Sequence, residues 1–192
     1  MPTNLARRAA LADAGVAVLA REGARGLTHR AVDAESGSPL GTASNYFRDR
    51  SALLAALVQR IGERLAPDPA VLAVLAEHPP GREAYAEYLR YILQRLLGDA
   101  PLALALFELR LESARRPEAA ATIGQWQREA FAADIAFTAQ AGLPGGAREI
   151  ALFHYAIDGL VLDRLTTPID PQTGTDEVVD ALVAAVFGPA GG

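Results

Sequence analysis

Cysteine and lysine are both absent from this 192-residue chain. Without cysteine there is no structural disulfide, no zinc–thiolate centre and no thiol nucleophile. Without lysine, all 18 cationic side chains are arginine. No uninterrupted apolar run approaches the ~18 residues that a membrane-spanning helix needs, so no membrane association is expected. Asp13 and Glu22 interrupt any apolar core of a secretory signal near the start. A reducing cytoplasm is the default expectation. No GxSxG, P-loop or dinucleotide fingerprint occurs. His29, His78 and His154 share no metal-ligand spacing. Asp158 and Asp163 lie five apart, on different faces of a helix, and form no acid/base pair. Glu108, Arg110 and Glu112 alternate at a spacing that a helix spreads apart. The chain is expected to be no enzyme and to need no cofactor.

What is present is helix-forming and apolar. Hydrophobic residues make up 51% of the chain, enough to bury a real core. Ala, Leu, Arg and Glu dominate, while Gly and Pro fall mostly between periodic runs. A first helix is expected over residues 5–22, with Leu11, Ala14, Val18 and Leu19 as its apolar stripe and Gly23 at its end. Thr28 opens a short helix that stops near Ser36–Gly37. A third short segment covers 39–46, and Asp49 caps a longer helix over 50–65. Further helices are expected at 68–77, 82–97, 99–115, 117–141 and 147–165. The last runs from a Thr175 cap to Gly188-Pro189, with Asp176 and Glu177 placed to complement its dipole. No strand and no internal repeat is evident.

Charge is unevenly shared. Residues 1–64 hold nine arginines against six acids, and the remainder holds nine against seventeen. A basic front and an acidic rear point to two parts with different partners.

Two short helices joined by a glycine turn, behind a longer supporting helix, describe a helix-turn-helix. The second of them, Pro39-Leu40-Gly41-Thr42-Ala43-Ser44-Asn45-Tyr46, carries one large aliphatic residue. Its small and polar side chains suit a nucleic-acid groove better than a packed core.

The string LTHRAVDAESGSPLGTASNYFRDRSALLAAL, residues 27–57, resembles the DNA-binding domain of the TetR family of transcriptional regulators. The likeness lies in Gly23, Thr28, Arg30, Val32, Gly37, Gly41-Thr42, Tyr46-Phe47 and Arg50 followed by Ala52-Leu53-Leu54. It covers about residues 8–57. The sequence departs from the family pattern at Ser38, where Val is usual, at Ala43-Ser44, where Leu-Tyr is frequent, and at Asp33, where a small residue is usual. The resemblance implies an all-α chain. An N-terminal three-helix DNA-binding domain with a helix-turn-helix (1–48) would precede a larger C-terminal helical ligand-binding and dimerisation domain (49–192). Thr28, Arg30 and more weakly His29 would contact phosphate or base edges. Gly41 would let the backbone approach DNA, with Leu40 beside it. Thr42, Ser44 and Asn45 would read bases, and Tyr46 and Arg50 would clamp the backbone.

Ten of the twelve aromatics follow residue 64. They could line an effector pocket, for which Tyr88, Phe107, Leu111, Trp126, Phe153 and His154 are the candidates. The helix over 147–165 is apolar on two sides, one stripe holding Ile157, Leu160 and Val161 and another Leu152, Tyr155, Gly159 and Leu162. A helix apolar on two sides must be covered on two sides. Together with Val179, Leu182, Val183 and Val186 of the last helix, Ile157, Leu160 and Val161 are the expected homodimer interface. The expected function is a dimeric repressor that binds a double-stranded operator and is released by a small-molecule effector. The alternative is a ligand-binding or scaffolding bundle whose helix-turn-helix no longer meets DNA.

Overall fold

The computed structural model describes residues 2–188, with side chains from Asn4 onward. Pro189, expected just beyond the last helix, lies outside the described residues. Among those described there are ten helices and no strand. They are α1 (Pro2–Gly26), α2 (His29–Glu35), α3 (Thr42–Tyr46), α4 (Arg50–Arg64), α5 (Pro69–Leu75), α6 (Arg82–Gly98), α7 (Ala100–Ser113), α8 (Pro117–Gln140), α9 (Ala147–Leu165) and α10 (Thr175–Phe187).

Caps set the helix starts. The side chains of Thr28, Asp49, Asp68 and Asp99 accept from backbone N–H groups of the first turns of α2, α4, α5 and α7. α10 begins at Thr175 itself, with Gly174 before it as cap, one position earlier than expected. α1 continues past the expected stop. Gly23 adopts φ 69°, ψ −176°, which kinks the helix, and the chain then stays helical to Gly26.

The chain folds into two compact units. The first comprises the residues up to Ala66 together with Asp99–Gln127. Its core is largely aliphatic: Leu11, Leu19, Leu27, Leu53, Leu57, Ile61, Leu102 and Leu109 share one cluster with Phe47, all almost fully buried. Each such side chain contributes roughly 1.5–3 kcal/mol by leaving water. α7 packs along α1 and α4, so a helix distant in sequence backs the long supporting helix of the front unit. Trp126 closes this core beside Val58, Ile61 and Ile123, leaving no space for a water molecule. A Cβ on Gly62 would meet the Trp126 indole nitrogen at 2.8 Å.

The second unit comprises Pro67–Gly98 and the residues from Arg128 onward. Rings hold it together. Tyr85, Phe153 and Phe187 form a triangle with centroids 4.9–5.6 Å apart, and Tyr88 stands edge-on to Phe137 at 5.1 Å. Burial pushes the Tyr85 hydroxyl up to about 12, although a hydrogen bond with Thr138 works the other way.

Candidate nucleic-acid interface

The segment expected to be helical over 39–46 is helical only from Thr42 to Tyr46. Gly41 before it lies in the left-handed region at φ 89°, so Pro39, Leu40 and Gly41 form a turn. A cause of the short start is Asp33, at the end of α2. Its carboxylate, 2% exposed, accepts from Gly41 N at 2.7 Å and Ala43 N at 2.6 Å. Its own carbonyl accepts from Ser38 N at 2.9 Å. A buried carboxylate is stable only when its oxygens are so satisfied. One residue therefore fixes both sides of the turn between the two short helices. Sequence reasoning noted Asp33 only as an unusual residue; the available signal was an acid among core positions, eight and ten residues ahead of two backbone donors.

α3 has an inner and an outer face. Ala43 and, just past the helix end, Phe47 are fully buried. Ser44 and Asn45 are exposed, and Thr42 and Tyr46 are half-buried. The Thr42 hydroxyl donates to Pro39 O at 2.6 Å and the Ser44 hydroxyl donates to Gly41 O at 2.9 Å. Leu40 stands out of the turn with 74% of its surface exposed. Arg8 of α1 donates to Tyr46 O at 3.1 Å and lies over the Phe47 ring. Asn4, Leu5 and Arg8 with Asn45 and Tyr46 line an open cleft of about 580 Å³. Sequence reasoning gave no role to Asn4 and Leu5, because α1 starts earlier than its apolar stripe indicates.

The other expected contacts divide. Arg30 is exposed and in no ion pair among the described residues, as is Arg7. Thr28 is exposed, but its hydroxyl oxygen accepts from Ala31 N at 3.1 Å. His29 turns inward, its Nε2 2.6 Å from Phe47 O. A carbonyl can only accept, so that nitrogen carries the proton. Arg50 also turns inward. It donates to Leu27 O and Ala24 O, each at 2.6 Å, and pairs with Glu112 at 3.1 Å. Glu112 is buried and binds Arg116 as well, and Glu108 accepts from Ala24 N at 3.2 Å. Arg50 and two carboxylates of α7 thus grip the loop between α1 and α2, and the Arg50 guanidinium does not join the outward-facing set.

The six expected pocket residues fall three to each unit. Phe107, Leu111 and Trp126 belong to the first unit, where Leu111 is 50% exposed. Tyr88, Phe153 and His154 belong to the second. His154 is half-exposed, 2.9 Å from Asp134 and edge-on to Phe131, and is not a core residue. Of the expected interface residues, Ile157, Val161, Val179 and Val183 are largely buried within the second unit, among α6, α9 and α10. Leu160, Leu182 and Val186 are half-buried. The exposed apolar residues of α9 are instead Leu152, Tyr155 and Leu162. Among the described residues no group of carboxylates and imidazoles could hold a metal ion, and no helix is long and apolar enough to cross a membrane.

Comparison with known proteins bears on the same architecture. Residues 80–189, more than half of the chain, match the family described as "Tetracyclin repressor-like, C-terminal domain". An uncharacterized HTH-type transcriptional regulator from the dhlA 5' region of Xanthobacter autotrophicus is 36% identical over 89 residues. That stretch covers 45% of this chain and 41% of the relative, so the chain spans about two fifths of that protein. A TetR-family member from Streptomyces coelicolor A3 (SCO1917) superposes with a TM-score of 0.69 at 26% identity, over 94% of this chain and 97% of that one. The multidrug binding protein EbrR, in complex with imidazole, superposes with a TM-score of 0.67 at 26% identity over 94% of each chain. EbrR also has a structure with proflavin bound. With a helix-turn-helix at the front and this match behind it, the chain belongs to the TetR family of transcriptional regulators.

Proposed function

We propose that this chain is a homodimeric, DNA-binding repressor, released from its operator by a small molecule. The observation that carries the reading is the division of α3. Ala43 and Phe47 are sunk in the core, Asp33 fixes the helix start, and Leu40, Thr42, Ser44 and Asn45 are left outside. Residues 1–48 are the reading head and 49–192 the regulatory and dimerising part. Asn45 reads a base edge, while Arg30, Thr28, Tyr46 and Arg7 meet phosphates.

The partner of each protomer is a second copy, packed on the outer face of α9 through Leu152, Tyr155, Gly159 and Leu162. Their spacing of three, four and three residues makes one seam. Two heads are needed because successive major grooves lie about 34–36 Å apart. An effector that binds better to one spacing of the heads shifts the population and weakens DNA binding. The rings of the second unit, with Asp134 among them, suit a flat apolar or cationic compound, and the proflavin complex of EbrR supports the same class. The protein would act in the cytoplasm.

Selection of duplexes from a random pool tests the reading. Two inverted half-sites one helical turn apart, bound with an affinity that falls steeply with salt, are expected. Failure to enrich any sequence would overturn it. Calorimetry in which only anionic compounds bind would overturn the effector class alone.

A further inference from the structure

The turn ahead of α3 presents a leucine to solvent and does not let it fold away. Leu40 is bracketed by two restrained neighbours. On one side Pro39 O accepts from both Thr42 N at 3.1 Å and the Thr42 hydroxyl at 2.6 Å. On the other, Gly41 N and Ala43 N are tied to the buried Asp33 carboxylate. The backbone that carries this side chain is thus hydrogen-bonded on both sides. An exposed leucine on a mobile loop is unremarked surface. A leucine held at 74% exposure on a hydrogen-bonded turn, beside the base-reading helix, is placed to meet an apolar group in the groove. The major groove offers one apolar feature on base edges, the C5-methyl of thymine.

The adjoining hydroxyls point the same way. A carbonyl cannot donate, so the protons of Thr42 and Ser44 are committed to Pro39 O and Gly41 O. What these side chains turn outward is lone pairs. Lone pairs accept from the amino groups of adenine N6 or cytosine N4 and repel the acceptors that every pair also carries. Both kinds of pair present one amino group and two acceptors in the major groove. Only the A·T pair adds a methyl, at the thymine end beyond O4, so the leucine decides between them.

We infer that Leu40 is a specificity-determining residue that reads a thymine methyl in each half-site, with Thr42 and Ser44 accepting from the amino group of the adenine in the same pair or of an adenine or cytosine in the neighbouring one. The inference rests on α3 lying in the major groove as proposed above, and the experiment separates the two.

The full-length protein is used to select duplexes from a random pool. Each thymine of the consensus is then replaced by deoxyuridine, which removes the methyl and nothing else. For the wild type, one position per half-site is expected to lose about four-fold in affinity, the scale of one buried methyl. Substitution in both half-sites is expected to lose about the square of that. Leu40→Ala should bind the thymine and deoxyuridine duplexes equally, while keeping the wild-type helix content and salt dependence. Selective binding by the wild type with no deoxyuridine penalty at any position overturns the role of Leu40 and leaves the DNA-binding reading standing. An equal penalty in wild type and Leu40→Ala also overturns it, since another residue would then be reading the methyl. A wild type that selects no duplex overturns both.

Discussion

The two compact units are held by different kinds of force. In the first, directional polar joints lie at the places where elements meet: Asp33 between α2 and α3, and Arg50 with Glu112 and Glu108 around the loop after α1. In the second, the core joints are ring against ring, in the Tyr85–Phe153–Phe187 triangle and the Tyr88–Phe137 pair, and the polar joint of Arg90 with Asp176 and Asp180 between α6 and α10 lies at the exposed rim. A hydrogen bond to a charged group fixes distance and angle, and loses most of its value when either changes. Ring contacts draw most of their value from the area they bury, and here they occur at interplanar angles from 34° to 78°. The first construction suits a part that must match the fixed geometry of a duplex. The second fills a core with large apolar area and asks less of angle.

The largest expected effect is in the second unit. Phe153→Ala should destabilise the protein by about 3–4 kcal/mol in urea unfolding, while Phe153→Leu costs about 1 kcal/mol, because rings tolerate a substitute of similar volume. A Phe153→Leu cost as large as the alanine cost would break the contrast. Next comes Asp33→Ala, which leaves two backbone donors without a partner inside the turn and should cost about 2–3 kcal/mol. Operator affinity should fall by more than that stability loss explains, because the start of α3 loosens. Asp33→Asn can replace at most one acceptor well and should fall between. Equal DNA binding by Asp33→Ala and wild type, measured by fluorescence anisotropy, would show that the turn needs no pin.

Glu112→Gln keeps the shape and removes the charge that faces Arg50 and Arg116. A cost of about 1–2 kcal/mol is expected, below the roughly 3–5 kcal/mol of a fully buried pair, because Arg50 is partly solvated and keeps two carbonyl acceptors.

The units should also differ in pH response. Tyr85 is raised in the folded state, so the stability tied to its neutral form is complete below the ordinary tyrosine value near 10 and is lost as pH rises through about 12. Tyr85→Phe should flatten that alkaline limb. Asp49, held below the usual aspartate range chiefly by its bond from Ala52 N, acts in the opposite sense. Its contribution is present above the ordinary value near 3.8 and is lost as pH falls through the lowered one. Smallest of all, Arg30→Ala should weaken every duplex alike and reduce the salt slope by about one.

Much of this architecture is legible in the residues. Thr28, Asp49, Asp68 and Asp99 mark helix starts because a short polar side chain bonds its own backbone there, which is a local matter. Gly37 and Gly41 take the positive φ values that turns demand. What could not be read depends on contacts distant in sequence. The partnership of α7 with α1 is such a contact, and it places 99–127 in the front unit. Asp33 reads as an odd residue until Gly41 and Ala43 are beside it. On α9 two apolar stripes look alike in the sequence, and only packing tells that Ile157 and Val161 face inward while Tyr155 faces out. Arg50 sits at a cationic position that suits a phosphate, yet the nearer carbonyls of Ala24 and Leu27 and the Glu112 carboxylate engage it.

The carboxylate that bridges α2 and α3 also sets the unit of exchange for anyone redesigning this regulator. Its partners are the backbone N–H groups of Gly41 and Ala43, so a graft of residues 42–46 from another member still finds the anchor in place. A cassette that begins at position 33 and brings in a small residue there would discard it. The span that can be swapped therefore begins at Thr42, and a library built on that boundary should yield far more binders than one begun at position 33.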